Sequence, residues 1–423
     1  MKVEDLTIFK QKAAAWANNF DVCCCLDSNG YSDQYGKYDF LLAAGVEKEI
    51  TCNTGTAFEE WKSFYDEHKN WMFGFLSYDL KNEIEDLESK NSDQLEFPDL
   101  YFFIPKYLLI GEAGEVRVVI GDESILNDIK KTEISHSEST NYTEIKPRLN
   151  KEDYLTAVLQ MKEHIVRGDI YEANLCQEFF ASHAILNPLN VYQDLKALSA
   201  TPFSGYFKRY NNYILSATPE RFLCKRGDKL ISQPIKGTSK RATDPVQDEI
   251  SKNQLRNSSK EQAENVMIVD LVRNDLSKSA VKGTVRVDEL FGIYAFPQVF
   301  QMISTISCML NPDLHFIDAI KNAFPMGSMT GAPKLKAMQL IEHIEQTKRG
   351  IYSGAMGYIE PGGDFDFNVI IRSLLYNAEN KYLSFQVGSA ITYAADPVQE
   401  YEECLLKASA IFQTVSKKNA TRR

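Results

Sequence analysis

The chain has 423 residues, 44% of them hydrophobic and 25% charged, with a formal net charge of −11. That length exceeds what one small core holds, so two domains or one large composite domain is expected. The acidic balance, with no Lys/Arg block to offset it, excludes a nucleic-acid footprint, and any anionic small molecule must be met by positive charge gathered locally.

Eight Cys, three of them adjacent at Cys23, Cys24 and Cys25, include no C-x-x-C pair; reduced thiols and a cytoplasmic location are expected. The N-terminal MKVEDLTIFKQKAAAW lacks a signal-peptide core, and no run is long enough to cross a membrane, so no membrane partner is expected. The six His show no metal-ligand spacing.

In chain order, residues 1–121 read as a strand-rich N-terminal domain, with strands at WMFGFLSYDL, LYFFIPKYLLIG and EVRVVIG. Residues 122–150, polar and containing SHSESTNYTEIKPRLN, read as a connection. Residues 151–417 read as the catalytic domain. It opens with a helix, KEDYLTAVLQMKEHIVRGD, stopped at Gly168. Strands follow at YFKRYNNYILSATPE and DKLISQPIKGT, then helices from Ser258 to about Val272 and from Pro333 to about Glu345. SGAMGYIE, FNVIIRSLLYN and YLSFQVGSAITY are strands, and a helix runs from Pro397 to about Val415. Strands and helices neither alternate regularly nor segregate, which predicts an α+β fold.

Several polar groups stand in apolar text. SQPIKGTSK predicts a bend that holds the Lys236 ammonium beside Ile235 and Gly237 in a cramped, apolar setting. In SSKEQAENVMIVDLVRND, Glu264 shares a helical face with Ile268 and Leu271, while Val266, Met267, Val269 and Val272 cover much of the rest. A helix apolar nearly all round is buried, and an unpaired carboxylate there costs several kcal/mol or becomes protonated. Glu261, one turn earlier, fits a capping box with Ser258. Glu400, Glu403 and Lys407 line one face of the last helix, which alone reads as a solvated Glu–Lys face. Together, the two helices can hold a hard divalent cation such as Mg2+ between their carboxylates.

FPMGSMTGAPKLKAMQLIEHIE is not a Walker loop, because three residues separate Gly327 from Gly331 and Ala-Pro precedes Lys334. It is either an anion-holding helix start or a structural turn. Arg372, in the apolar strand FNVIIRSLLY, is either paired with a protein carboxylate or awaits a substrate carboxylate. Gly388 in VGSAITY marks a close backbone approach.

The ordered set GDIYEANLCQ, SATPERFL, PIKGT, ENVMIVDLVRND, GSMTGAPK, YSGAMGY, IRS, VGSAI and EYEECLLKA resembles the chorismate-utilising enzymes, from about Lys151 to the C-terminus. FGFLSYDL extends the likeness weakly into the N-terminal part. The resemblance implies two large antiparallel sheets packed in the core with helices outside. It implies Glu264 and Glu403 as magnesium ligands, with Glu261 and Glu400 backing them. Thr238, Tyr352, Arg372 and Gly388 match groups that hold the substrate's carboxylates and ring. Glu220 matches the acid that protonates the departing hydroxyl, and Lys407 a lysine near the metal-bound carboxylate.

Lys236 distinguishes branches of that family. PIAGT is usual in members that aminate chorismate at C2. PIKGT resembles members that aminate at C4, in which the lysine attacks ring C2 as the C4 hydroxyl leaves and ammonia then expels it. A lysine of pKa ~10.4 is neutral in only about one molecule in a few thousand at pH 7, and an apolar pocket would raise that fraction. Ammonia is expected from a separate glutamine amidotransferase subunit, since the chain has no Gly-x-Cys-x-Gly nucleophile turn. Three positions depart from the family pattern. Glu172 stands where amino-transferring members usually have Gln and isochorismate-forming members Lys. Gln301 stands where many have His. YDFLLAAGV replaces the LLES-type signature, so tryptophan feedback is not implied.

Overall fold

The computed structural model describes residues 5–134, 144–296 and 299–416. Among them, nineteen strands are hydrogen-bonded into one network in which every ladder between them is antiparallel, with eleven α-helices around it. Buried apolar side chains divide into two large clusters. One contains Trp61, Phe102 and Phe367; the other contains Tyr154, Phe179, Phe385 and Ile411. The α+β expectation holds. All eight Cys are buried free thiols, and no helix among the described residues is long and apolar enough to cross a membrane.

Residues 1–121 and 151–417 share ladders. Strand Val22–Asp27 pairs with Phe40–Cys52 on one side and Phe203–Arg209 on the other. Strand Met72–Leu76, buried at every position, lies between Leu100–Glu112 and Ala355–Ile359. The N-terminal part also carries three helices that its strand-rich text conceals, the short Lys81–Ile84 and two longer ones. Leu6–Ala17 is capped by Asp5, and Ala57–His68 buries Phe58, Trp61 and Tyr65 at helical spacing. The polar connection contains a helix, Ile125–Lys131, and a short strand, Lys146–Pro147; the segment SHSESTNY lies outside the described residues.

Helix ends follow local chemistry. Lys151–Arg167 stops at Gly168, whose φ of 83° is left-handed. Asp396 accepts the N–H groups of Val398 and Gln399, opening Pro397–Ser416. Ser258 caps Ser259–Ser277 by accepting Glu261 N–H, so half of the expected capping box forms while the Glu261 carboxylate turns elsewhere. This helix is not buried all round: Val266, Asp270, Arg273 and Asn274 face outward, because the polar residues interleaved with the valines claim the solvent side.

Two expected strand features change form. FNVIIRSLLYN is not one strand but two, Phe365–Val369 and Ser373–Asn377, broken at Arg372, whose φ of 53° is rare for a residue with a Cβ. Strand alternation therefore does not carry through Arg372. SQPIKGTSK is not a bend that ends a strand. Lys229–Gln233 and Ile235–Lys240 both pair with Val299–Met309, and a register shift between Ile235 and Thr238 marks a bulge, with Gly237 at φ 97°. A bulge re-aims the side chain it carries, and here that side chain is Lys236.

Candidate active site

Helices Ser259–Ser277 and Pro397–Ser416, the Lys236 bulge and the strand break at Arg372 converge on a cavity of about 810 Å³. Every residue singled out for the site lines it except Glu400.

Lys236 is almost fully buried, but its surroundings are not the apolar ones expected. Its Nζ lies 2.8 Å from Glu172 Oε1. Burial opposes the ammonium, yet the combined pull of Glu172, Glu264 and Glu403 outweighs it and holds the amine above its ordinary pKa. The sequence neighbours Ile235 and Gly237 did not reveal this, because the carboxylates come from a distant strand and two helices. The Asn265 side chain donates to the Lys236 carbonyl at 3.5 Å and accepts from Ser304 Oγ at 2.6 Å, anchoring the bulge to the helix.

Glu220 follows strand Asn212–Thr218 and is buried. Desolvation pushes its pKa up to about 7, against opposing pulls from a 2.5 Å hydrogen bond donated by Ser328 Oγ and from the Lys236 charge. A carboxyl so tuned holds its proton in about half of the molecules at neutral pH. Ser328 comes from the glycine-rich turn, which is structural. Lys334 holds Asp275 at 2.5 Å and the Pro325 carbonyl at 2.7 Å, and Gly331 pairs with Ala173, where any side chain would strike the Glu172 carbonyl.

The acidic helices face each other across the cavity. Burial pushes Glu264 up to about 7, with repulsion from Glu261 and Glu172 adding to it. Its buried Oε1 has no hydrogen-bond partner; Lys260 Nζ, at 3.9 Å, is beyond reach. Glu261 is also raised, by burial and then by Glu403. Glu403 is instead lowered, chiefly by Lys407, whose Nζ sits 2.6 Å away. Lys407 also donates to the Gly388 carbonyl at 3.0 Å. Glu400 is not on a solvated face: it is buried behind the cavity, bonded to Ser389 Oγ and paired with Lys260 at 3.3 Å. The oxygens available to a hard cation are those of Glu264, Glu261 and Glu403. No group of three acidic, His or Cys side chains among the described residues is already gathered closely enough to hold an ion unaided.

Arg372 resolves one open alternative. Among the described residues no carboxylate lies within ion-pair distance of it, and burial lowers its pKa. It therefore presents an unpaired guanidinium to the cavity, near Tyr352, Glu403 and Glu220. Tyr352 is buried, its phenol pushed up by desolvation, and its hydroxyl lies 3.7 Å from Cys176 Sγ. Thr238 stands opposite Gln301, whose buried Oε1 has no partner. At Gly388 a Cβ would collide with Asn174 Oδ1 and Cys176 Sγ, which accounts for the close approach read from the sequence.

Residues 22–413 match the model of the chorismate binding enzyme family. The chain belongs to that family. The chorismate-utilising resemblance read from the motifs is thereby upheld, and the chain's relatives in the family are named accordingly. Aminodeoxychorismate synthase component 1 of Escherichia coli (strain K12) is 33% identical over 349 residues, covering 81% of this chain and 76% of that protein. An anthranilate synthase component I-like protein of Synechocystis is 33% identical over 352 residues, covering 81% and 72%. In fold, the chain is similar to the crystal structure of anthranilate synthase component I from Streptococcus pneumoniae, with TM-score 0.78 at 23% identity, covering 90% of this chain and 93% of that one.

Sequence reasoning on this family member overlooked Ser328 and Asn265 and assigned Glu172 no role. Asn265 was open to detection as a polar residue beside Glu264 on the helix face that buries Ile268 and Val272. Ser328 carried no signal, because its partner Glu220 is distant in sequence.

Proposed function

We propose that this chain is an aminodeoxychorismate synthase component I, which converts chorismate and ammonia to 4-amino-4-deoxychorismate and water, supplying 4-aminobenzoate and folate synthesis. The observation that carries this reading is the amine of Lys236, buried in the same cavity as the half-protonated Glu220. The unpaired Arg372 guanidinium binds a substrate carboxylate, with Tyr352 and Thr238 beside the ring. The neutral Lys236 amine attacks ring C2, the ring double bonds shift, and the C4 hydroxyl leaves as water with the Glu220 proton. Ammonia then adds at C4, the bonds shift back and the amine is expelled.

The residues present fit a magnesium ion. Glu264 carries an oxygen without a hydrogen-bond partner, and the repulsion among Glu264, Glu261 and Glu403 is what a divalent cation would offset. Glu264 and Glu403 would hold it, with Glu261 beside them and Glu400 fixed behind through Ser389. When bound, such an ion supplies a Lewis-acid hold on an anionic substrate oxygen. Ammonia is supplied by a separate glutamine amidotransferase subunit, a partner in keeping with the "component 1" naming of the relatives. Eight buried free thiols favour a cytoplasmic setting.

Anthranilate synthase component I is the second reading, favoured by the Synechocystis relative. A non-catalytic chorismate-binding regulatory subunit is the third, opposed by the presence of Glu220 and Lys236 in one cavity. Product analysis with chorismate, magnesium and ammonium separates the three. Accumulation of 4-amino-4-deoxychorismate supports the proposal; fluorescent anthranilate with pyruvate, or no turnover, overturns it. Lys236→Ala is expected to abolish amination while chorismate still binds, and mass spectrometry after quenching without ammonia should find an adduct on Lys236.

A further inference from the structure

The chemistry above leaves unexplained how a buried ammonium becomes a free amine. Five carboxylates face Lys236 from the elements packed around it: Glu172 on strand Glu172–Ala181, Glu220 after strand Asn212–Thr218, Glu261 and Glu264 on helix Ser259–Ser277 and Glu403 on helix Pro397–Ser416. Among the described residues only Glu172 lies within hydrogen-bond reach, at 2.8 Å. Glu172 is 1% exposed, and its second oxygen, Oε2, is buried without a hydrogen-bond partner. It is thus an acceptor with unused capacity, in contact with one cation and shut off from water.

We propose that Glu172 is the proton acceptor for Lys236. This rests on the reading of Lys236 as the nucleophile. The ammonium gives one proton across the 2.8 Å contact to the Glu172 carboxylate, leaving a neutral amine beside a neutral acid. The amine lone pair forms the N–C2 bond, the C4–O bond breaks, and the oxygen leaves as water with the Glu220 proton. Ammonia then forms the C4–N bond, the C2–N bond returns its electrons to Lys236, and the incoming nitrogen gives a proton to Glu220. Finally, the Glu172 proton returns to Lys236.

The charged pair and its neutral form hold the same number of protons. Interconverting them requires no exchange with solvent, so the supply of free amine does not depend on pH while the pair is intact. A carboxamide at position 172 cannot take the proton. The amine must then release it to solution, and its neutral fraction rises about tenfold per pH unit below its pKa.

The test is single-turnover chorismate consumption between pH 6.5 and 8.5, with saturating magnesium and ammonia, by wild type, Glu172→Gln and Glu172→Asp. Dividing each variant's rate by the wild-type rate cancels the titration of Glu220 and of ammonia. The Glu172→Gln ratio is expected to climb about tenfold per pH unit, while the Glu172→Asp ratio, with a carboxylate retained, stays level. A level ratio for Glu172→Gln, or the same slope for both variants, overturns the proposal. If wild type yields anthranilate, or Lys236→Ala keeps full activity, the nucleophile reading falls and this inference with it. If those controls hold and the ratio is level, only the role of Glu172 falls.

Discussion

Replacing Ser328 with alanine isolates what tunes Glu220, the acid of the proposed reaction. Glu220 is buried and sits at about 7 because desolvation outweighs the groups that favour its charge, and the 2.5 Å hydrogen bond from Ser328 Oγ is the first among those groups. A hydrogen bond to a charged group is worth about 1.5–3 kcal/mol, and one pH unit corresponds to about 1.4 kcal/mol. The hydroxyl also bonds the neutral acid, though less strongly, so its loss should raise the Glu220 pKa by about one pH unit. The sign is fixed: removing a donor destabilises the carboxylate and keeps the proton on to higher pH. At pH 8 the protonated fraction would grow from about a tenth to about a half. The assay is the pH profile of kcat for chorismate consumption at saturating ammonia. The wild-type descending limb is expected near 7, and that of Ser328→Ala about one unit higher. Coincident limbs, or a variant limb displaced toward acid, would refute the assignment of Glu220 as the acid held by Ser328.

Arg372→Ala should lower kcat/KM for chorismate by about 100-fold, mostly through KM, because a charge-assisted contact to a substrate carboxylate is worth about 2–3 kcal/mol; an unchanged KM would remove Arg372 from substrate binding. Glu264→Gln should stabilise the metal-free protein. An acid whose folded pKa is raised from 4.5 to about 7 costs nothing below the lower value and its full penalty above the higher one. Thermal melts in chelator should therefore show the variant more stable by about 3 kcal/mol at pH 8 and equal to wild type at pH 4. The same variant should lose its response to added magnesium, and a wild-type melting curve at pH 8 would contradict the burial argument.

The long helices and their caps were legible because capping and periodicity are local: Asp396-Pro397, Ser258 and Gly168 act within a turn of where they stand. The helix Ala57–His68 was not, since its short amphipathic pattern lies among long strands. In the site, Lys236, Glu264 and Arg372 declared themselves as charges in apolar text. Their environments did not, because those depend on who faces whom. Glu172 and Lys236 are brought together only when strand and bulge pack against each other, and the break at Arg372 is a backbone event that strand propensity alone would deny. The weighing of Glu400 as a surface residue failed for the same reason: its Ser389 partner sits on a neighbouring strand, outside the helix periodicity.

The insertion of Met72–Leu76 between Leu100–Glu112 and Ala355–Ile359 has a consequence for biosynthesis. One edge of that early segment stays bare until the ribosome has made most of the polypeptide. Pairing of such high contact order is slow, and an open apolar edge invites association with other nascent chains. Separately expressed halves should accordingly be insoluble alone and recover only when refolded together.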